Sequence, residues 1–171
     1  MVVETIRRND LHDGYVRLVI TRGTGGLGLS PYRCEKASII VIASTISLYP
    51  KEKYEQGLIL ATCSTRRPSH DSLSPSIKSL NYLSNVMAKI EAIAAGAEEG
   101  VMLNASGYVA ECTGDNIFVV KDGVITTPTI ASGSLNGITR RVVINLARKS
   151  GFELHEVEMS RYELYTADEL F

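Results

Sequence analysis

Apolar residues recur along the chain with two periods, and the switches between those periods lay out the elements. Val2 to Asn9 has helical spacing over a short stretch. Tyr15 to Thr21 is rich in β-branched residues and predicts a strand, with Tyr15, Arg17, Val19 and Thr21 on one face. Ser38 to Ser44 is a nearly unbroken apolar run, the pattern of a buried strand, and Leu58 to Ser64 predicts another. Ser79 to Ala95 is amphipathic at helical period, with Leu80, Leu83, Val86, Met87, Ile90 and Ala94 on one broad face expected to be core. Gly96 stands where a C-terminal glycine cap belongs. Two hairpins follow, Glu99–Leu103 with Tyr108–Glu111 and Ile117–Val120 with Val124–Thr126, each around a turn containing glycine. Gly137 opens a helix that runs to about Lys149 and ends at Gly151, and Phe152 to Val157 alternates as a strand. Ser160 and Glu163 form a capping box for a short helix, and Leu170-Phe171 begins a further apolar strand.

Between Thr65 and Pro75 the composition turns to Arg, Pro, Ser, His and Asp, which predicts an interdomain linker. The expected architecture is α+β in two parts: a small domain over 1–64, the linker 65–75, and a larger domain over 76–171. Arg22 to Leu29 is glycine-rich but lacks P-loop spacing and opens no helix, so it reads as a turn and not as a phosphate cradle.

Composition narrows the function classes. Of 171 residues, 44% are hydrophobic and 22% charged, the balance of a globular domain. A net charge of -1 gives no basic field for nucleic acid, no apolar run is long enough to span a bilayer, and the N-terminus shows no charged-then-apolar signal pattern. The three cysteines (Cys34, Cys63, Cys112) have no paired spacing, which suits reduced thiols and a cytoplasmic setting. The three histidines are dispersed as well, so no metal site is expected.

Candidate chemistry concentrates in residues 75 to 118 and around 137. Lys78 lies among apolar and small residues where a loop gives way to the helical run. Desolvation there would free its amine as a nucleophile, although by residue type alone a solvated lysine is the commoner outcome. Tyr82 is four residues on, one helical turn, so both side chains can face one pocket; a core aromatic is the plainer reading. Glu111 ends a predicted strand, where an exposed edge-strand glutamate is the plain alternative. Gly137-Ile138-Thr139-Arg140 opens a helix, whose unpaired N–H groups favour an anion, though a simple cap accounts for it as well.

Two long segments carry a resemblance. Ile77-Lys78-Ser79-Leu80-Asn81-Tyr82-Leu83-Ser84-Asn85-Val86-Met87-Ala88-Lys89-Ile90-Glu91-Ala92 resembles the lysine segment of the class IV aminotransferases, which use pyridoxal 5'-phosphate (PLP). Gly107-Tyr108-Val109-Ala110-Glu111-Cys112-Thr113-Gly114-Asp115-Asn116-Ile117-Phe118 is similar to that family's cofactor-ring segment. The resemblance implies the two-domain fold-type-IV architecture, with Lys78 as Schiff-base lysine and proton-transfer base. It implies Glu111 beside the pyridine nitrogen, Tyr82 on the phenolic oxygen, and Asn116 supporting the ring segment. Leu135 would pack on the ring face, and Ile138 and Thr139 would hold the phosphate. Tyr15-Val16-Arg17 resembles the Tyr-x-Arg strand of branched-chain aminotransferases, which implies Tyr15 and Arg17 as substrate contacts. Leucine, isoleucine or valine and 2-oxoglutarate are then the expected substrates, and a homodimer or higher homo-oligomer the expected assembly. D-amino-acid transaminases and aminodeoxychorismate lyases share the fold and are the alternatives within it. Complete members are longer. Segments expected before Met1 (with a phosphate-binding arginine) and after Phe171 (a Thr-Gly-Thr-Ala-like loop) are absent from these 171 residues. A non-catalytic remnant that binds PLP weakly or not at all is therefore the other reading.

Overall fold

The computed structural model describes residues 1–46 and 49–171. They divide into two compact units, Met1–Gln56 and Gly57–Phe171.

The first unit is built on one antiparallel pair. Strand β1 (Tyr15–Thr21) pairs along its whole length with β2 (Ser38–Ser44), from Tyr15 opposite Ser44 to Thr21 opposite Ser38. Helix α1 (Val2–Arg8) lies against β2, and α2 (Lys51–Gln56) ends the unit. The expected burial of β2 is not found: Ile39, Ile40 and Ile42 are each about half exposed, because a two-stranded sheet offers too little surface to cover both faces. The glycine-rich stretch opens no helix: it is a loop of bends with one isolated bridge, Gly25 to Cys34. Gly23 has φ +95°, and a Cβ there would lie 1.8 Å from the Lys36 carbonyl oxygen. Backbone meets backbone there, which only glycine allows.

The second unit holds two sheets and three helices. Strand β3 (Leu60–Thr62) runs parallel to β4 (Glu99–Leu103), which pairs antiparallel with β5 (Val109–Cys112). The other sheet has the order β8 (Leu154–Val157), β7 (Val124–Pro128), β6 (Val119–Lys121), β9 (Glu169–Leu170). Strand β3, grouped by the sequence with the first domain, thus takes its partner from the second unit, and the chain divides before it and not at 65–75. The β6–β7 hairpin turns through Asp122 (φ 50°) and Gly123 (φ 79°), the conformation that two-residue hairpin loops require.

Alternation along β4 separates the cores. Val101 and Leu103 pack with Val109, Ile117, Val119, Met159 and Leu164 on one side. Met102 points the other way, into α3 (Leu83–Ala94), where it meets Ala88, Ala92 and Cys63. Helix α4 (Ile138–Lys149) covers the second sheet through Ile144 and Ala147, which pack on Phe118, Ile125 and Leu154. Helix α5 (Arg161–Tyr165) carries the capping box, with the Glu163 side chain accepting from the Ser160 N–H at 3.0 Å.

Helix α3 corrects an expectation. Its buried side is the small-residue stripe Ala88 and Ala92, while Leu83, Val86, Met87 and Ile90, expected in the core, are exposed, as is Leu80 just before the helix. The reason is close approach. A Cβ on Gly100 would lie 2.6 Å from Cys63 Sγ and 3.3 Å from the Ala88 carbonyl oxygen, so the helix sits too near the sheet for large side chains.

Candidate active site

The site is assembled where β5, the loop before α3 and the loop before α4 meet. Residues 74–82 are a series of tight turns and not the start of a helix. The Ser79 hydroxyl accepts from the Asn81 N–H at 3.2 Å, and the Tyr82 N–H donates to the Leu80 carbonyl at 3.0 Å. Such local side-chain bonds compete with helix formation, so α3 begins only at Leu83, with Tyr82 as its N-cap. The one-turn relation between Lys78 and Tyr82 is therefore absent, yet both line the same pocket. Lys78 is exposed in this chain, so the desolvation that its neighbours suggested is not found.

Glu111 is the buried centre of the pocket, 7% exposed. Its Oε2 accepts from the Leu135 N–H at 2.8 Å and from Asn116 Nδ2 at 3.0 Å, and its Oε1 lies 2.8 Å from Arg67 Nη2. Burial pushes the Glu111 carboxyl up; the Arg67 guanidinium, the Leu135 N–H and the Lys78 charge pull it back only in part. Asn116 also lies within hydrogen-bond reach of Ser134 Oγ and the Leu135 carbonyl, which ties the ring segment to the loop before α4. A Cβ on Gly137 would stand 2.6 Å from Asn116 Oδ1, so that glycine is required by the asparagine.

A second buried carboxylate supports the segment from outside the pocket. Glu99 accepts from the Thr113 N–H at 2.9 Å, the Thr113 hydroxyl and the Gly100 N–H at 2.8 Å, and pairs with Lys89 Nζ at 2.6 Å. Burial acts to raise its carboxyl, but Lys89, Thr113 and the N–H donors outweigh that and hold it below the usual range.

Five of the nine expected site residues converge on this pocket: Lys78, Tyr82, Glu111, Asn116 and Leu135. Ile138 and Thr139 do not line it. They are exposed at the start of α4, a helix whose N-terminus has no side-chain cap, directly after the Gly137 that abuts Asn116. Tyr15 and Arg17 belong to the first unit, where alternation along β1 puts both on one face. Arg67 escaped the sequence reading because it lies in the polar 65–75 run; the only signal there was the Arg66-Arg67 pair itself. Among the described residues no group of three or more His, Cys, Asp or Glu side chains could hold a metal ion, and no helix is long and apolar enough to cross a membrane.

The donor set fits a cofactor with an aldehyde, a basic ring nitrogen and a phenolic oxygen. An amine, a buried carboxylate and a phenol line one pocket, and uncapped helix N–H groups suited to a phosphate stand beside Asn116.

Residues 1–171 match the family described as amino-transferase class IV. A Methanocaldococcus jannaschii relative, provisionally named a branched-chain-amino-acid aminotransferase, is 50% identical over 171 residues, which are 100% of this chain and 58% of that protein. The Pseudomonas aeruginosa branched-chain-amino-acid aminotransferase is 39% identical over 97% of this chain and 54% of its own. The crystal structure of the Escherichia coli branched-chain amino acid aminotransferase superposes with a TM-score of 0.95 at 37% identity, covering 99% of this chain and 57% of that one. A second branched-chain amino acid aminotransferase, crystallised with pyridoxamine 5'-phosphate, gives 0.92 at 37% identity, covering 99% and 55%. The chain thus spans a little over half the length of these relatives. With every residue matched and the lysine, tyrosine and carboxylate of the two motifs gathered in one pocket, the chain belongs to the class IV aminotransferase family.

Proposed function

We propose that this chain is the cofactor-binding part of a PLP-dependent branched-chain aminotransferase, acting on leucine, isoleucine or valine with 2-oxoglutarate. The observation that carries the proposal is the convergence of Lys78, Tyr82, Glu111, Asn116 and Leu135, from three separate segments, on one pocket with a buried carboxylate at its centre. PLP bound there would supply an electron sink for the carbanion formed at substrate Cα.

The residues divide the work. Lys78 Nζ is the amine that would hold the cofactor and then carry the proton at substrate Cα. Glu111, held by two hydrogen bonds and the Arg67 ion pair, would partner the ring nitrogen and keep it protonated, and the Tyr82 hydroxyl would hydrogen-bond the phenolic oxygen. Leu135 offers an apolar surface to the ring. The first N–H groups of α4, at Ile138 and Thr139, would receive the phosphate. Tyr15 and Arg17, on one face of β1, suit a substrate carboxylate and a dicarboxylate partner respectively. The large apolar side chains left exposed on α3 support association of copies of the chain, as the expected homo-oligomer requires. Buried, unpaired Cys63 and Cys112 suit the cytoplasm.

One observation favours the non-catalytic reading: Lys78 is exposed, without the apolar surroundings that activate a Schiff-base lysine. A coupled assay for glutamate formed from 2-oxoglutarate with leucine, isoleucine or valine, at saturating PLP, decides between them. Activity lost in Lys78→Ala supports the transaminase; no lysine-dependent glutamate from any of the three overturns it.

A further inference from the structure

Arg67 is among the most buried charges of the chain, 8% exposed, and its three nitrogens reach three different segments. Nη2 meets Glu111 Oε1 on β5 at 2.8 Å, Nη1 donates to Asn85 Oδ1 on α3 at 3.0 Å, and Nε donates to the Gly133 carbonyl at 3.3 Å. Asn85 passes the link on, its Nδ2 donating to the Thr113 carbonyl of the ring segment at 2.7 Å. The Arg67 N–H itself is anchored on the Leu103 carbonyl at the end of β4, at 2.9 Å. A guanidinium presents its donors in a fixed plane, so this fork sets the carboxylate's direction as well as its charge. A lysine could satisfy one of the three acceptors and would leave the others to move.

Lone-pair accounting on Glu111 adds a second point. A carboxylate offers about four acceptor sites. Oε2 uses two, for Leu135 N–H and Asn116, while Oε1 is held by the ion pair with Arg67 at 2.8 Å. The open site is on Oε1, the oxygen that Arg67 holds.

We infer that Arg67 is a positioning residue of the site, clamping Glu111 so that its Oε1 faces the pocket as a carboxylate and receives the protonated ring nitrogen of the cofactor. The inference rests on the proposed role of Glu111 as ring partner. It gives the polar run before Lys78 a task beyond connecting elements: through one side chain it couples β5, α3 and the 133–135 loop.

The test separates the clamp from the cofactor. In the 171-residue apo protein labelled with 13C at glutamate carboxyls, the Glu111 signal is assigned by its loss in Glu111→Gln and titrated in wild type, Arg67→Met and Arg67→Lys. Removing the guanidinium moves the Glu111 midpoint upward in Arg67→Met, with Arg67→Lys between it and wild type. Separately, PLP affinity falls about 10–100-fold in Arg67→Met, the size of one lost hydrogen bond to a charged group. Arg67→Met adds nothing further in the Glu111→Gln background. If Arg67→Met does not fold, Arg67→Lys carries the test: a wild-type midpoint and wild-type PLP affinity in that variant overturn the fork. An unmoved Glu111 midpoint in the apo protein overturns the clamp whatever the cofactor does. Wild-type PLP affinity in Glu111→Gln, with the midpoint shift intact, overturns instead the role of Glu111 as ring partner.

Discussion

Gly137→Ala is a one-atom perturbation whose cost can be worked from the site. The backbone at Gly137 has φ -63° and ψ 153°, which alanine adopts freely, so no conformational strain enters. What enters is a methyl group 2.6 Å from Asn116 Oδ1. Ordinary van der Waals separation requires the asparagine to retreat by roughly half an ångström or more. Asn116 Nδ2 sits 3.0 Å from Glu111 Oε2, 3.1 Å from Ser134 Oγ and 3.0 Å from the Leu135 carbonyl, so that retreat stretches its hydrogen bonds toward their limit. Nδ2 has two N–H donors for these three acceptors, so at about 1 kcal/mol per net hydrogen bond the loss of one or two bonds costs about 1–2 kcal/mol. The decisive comparison is with the same substitution in an Asn116→Ala background. There the clash partner is gone, and Gly137→Ala should be neutral or stabilise by about 0.4–1 kcal/mol, because alanine restricts the unfolded chain. Urea unfolding of the four proteins at constant m-value measures both steps. Equal costs of Gly137→Ala in the two backgrounds, or no cost in wild type, would refute the wedge between Asn116 and the start of α4.

Two further outcomes follow from the same geometry. Glu99 is held below its ordinary value of 4.5, so the stability it contributes is present above that pH and is lost as the pH falls through its lowered value. The urea-midpoint gap between wild type and Glu99→Gln should therefore be widest near neutrality and close as pH drops below 4.5; a gap that widens in acid contradicts the sign. Met102 is fully buried between β4 and α3, and Met102→Ala should cost about 2–5 kcal/mol in the same assay through the cavity it leaves. A cost under about 1 kcal/mol would show that α3 collapses onto the sheet, contrary to the tight contacts of Gly100.

Much of the fold was written locally. The β-branched run of β1 and the Ser160–Glu163 box appear at the residues where the pattern puts them, because alternation and capping act over a few residues. Strand β3 was legible as a strand, but not its parallel partner β4, which follows it across a loop and a helix. The exposed face of α3 is not legible in the sequence for a similar reason. Amphipathicity fixes that a helix has two faces, whereas the close packing at Gly100, Cys63 and Ala88 decides which of them the sheet accepts. Lys78 and Tyr82 were found through their motif, and the turns between them were hidden in Ser79 and Asn81, whose side-chain preferences oppose the helical run. Arg67 and Glu111 lie 44 positions apart in the chain (111 − 67), and no local pattern announces an ion pair over that separation.

Binding of PLP in the Lys78 pocket is tested by an absorbance titration of the protein with PLP, in parallel with Lys78→Ala. A saturable band near the visible edge that disappears in the variant is the expected result. No lysine-dependent band at saturating PLP would contradict it, and family membership would then describe the ancestry of this chain and not its chemistry.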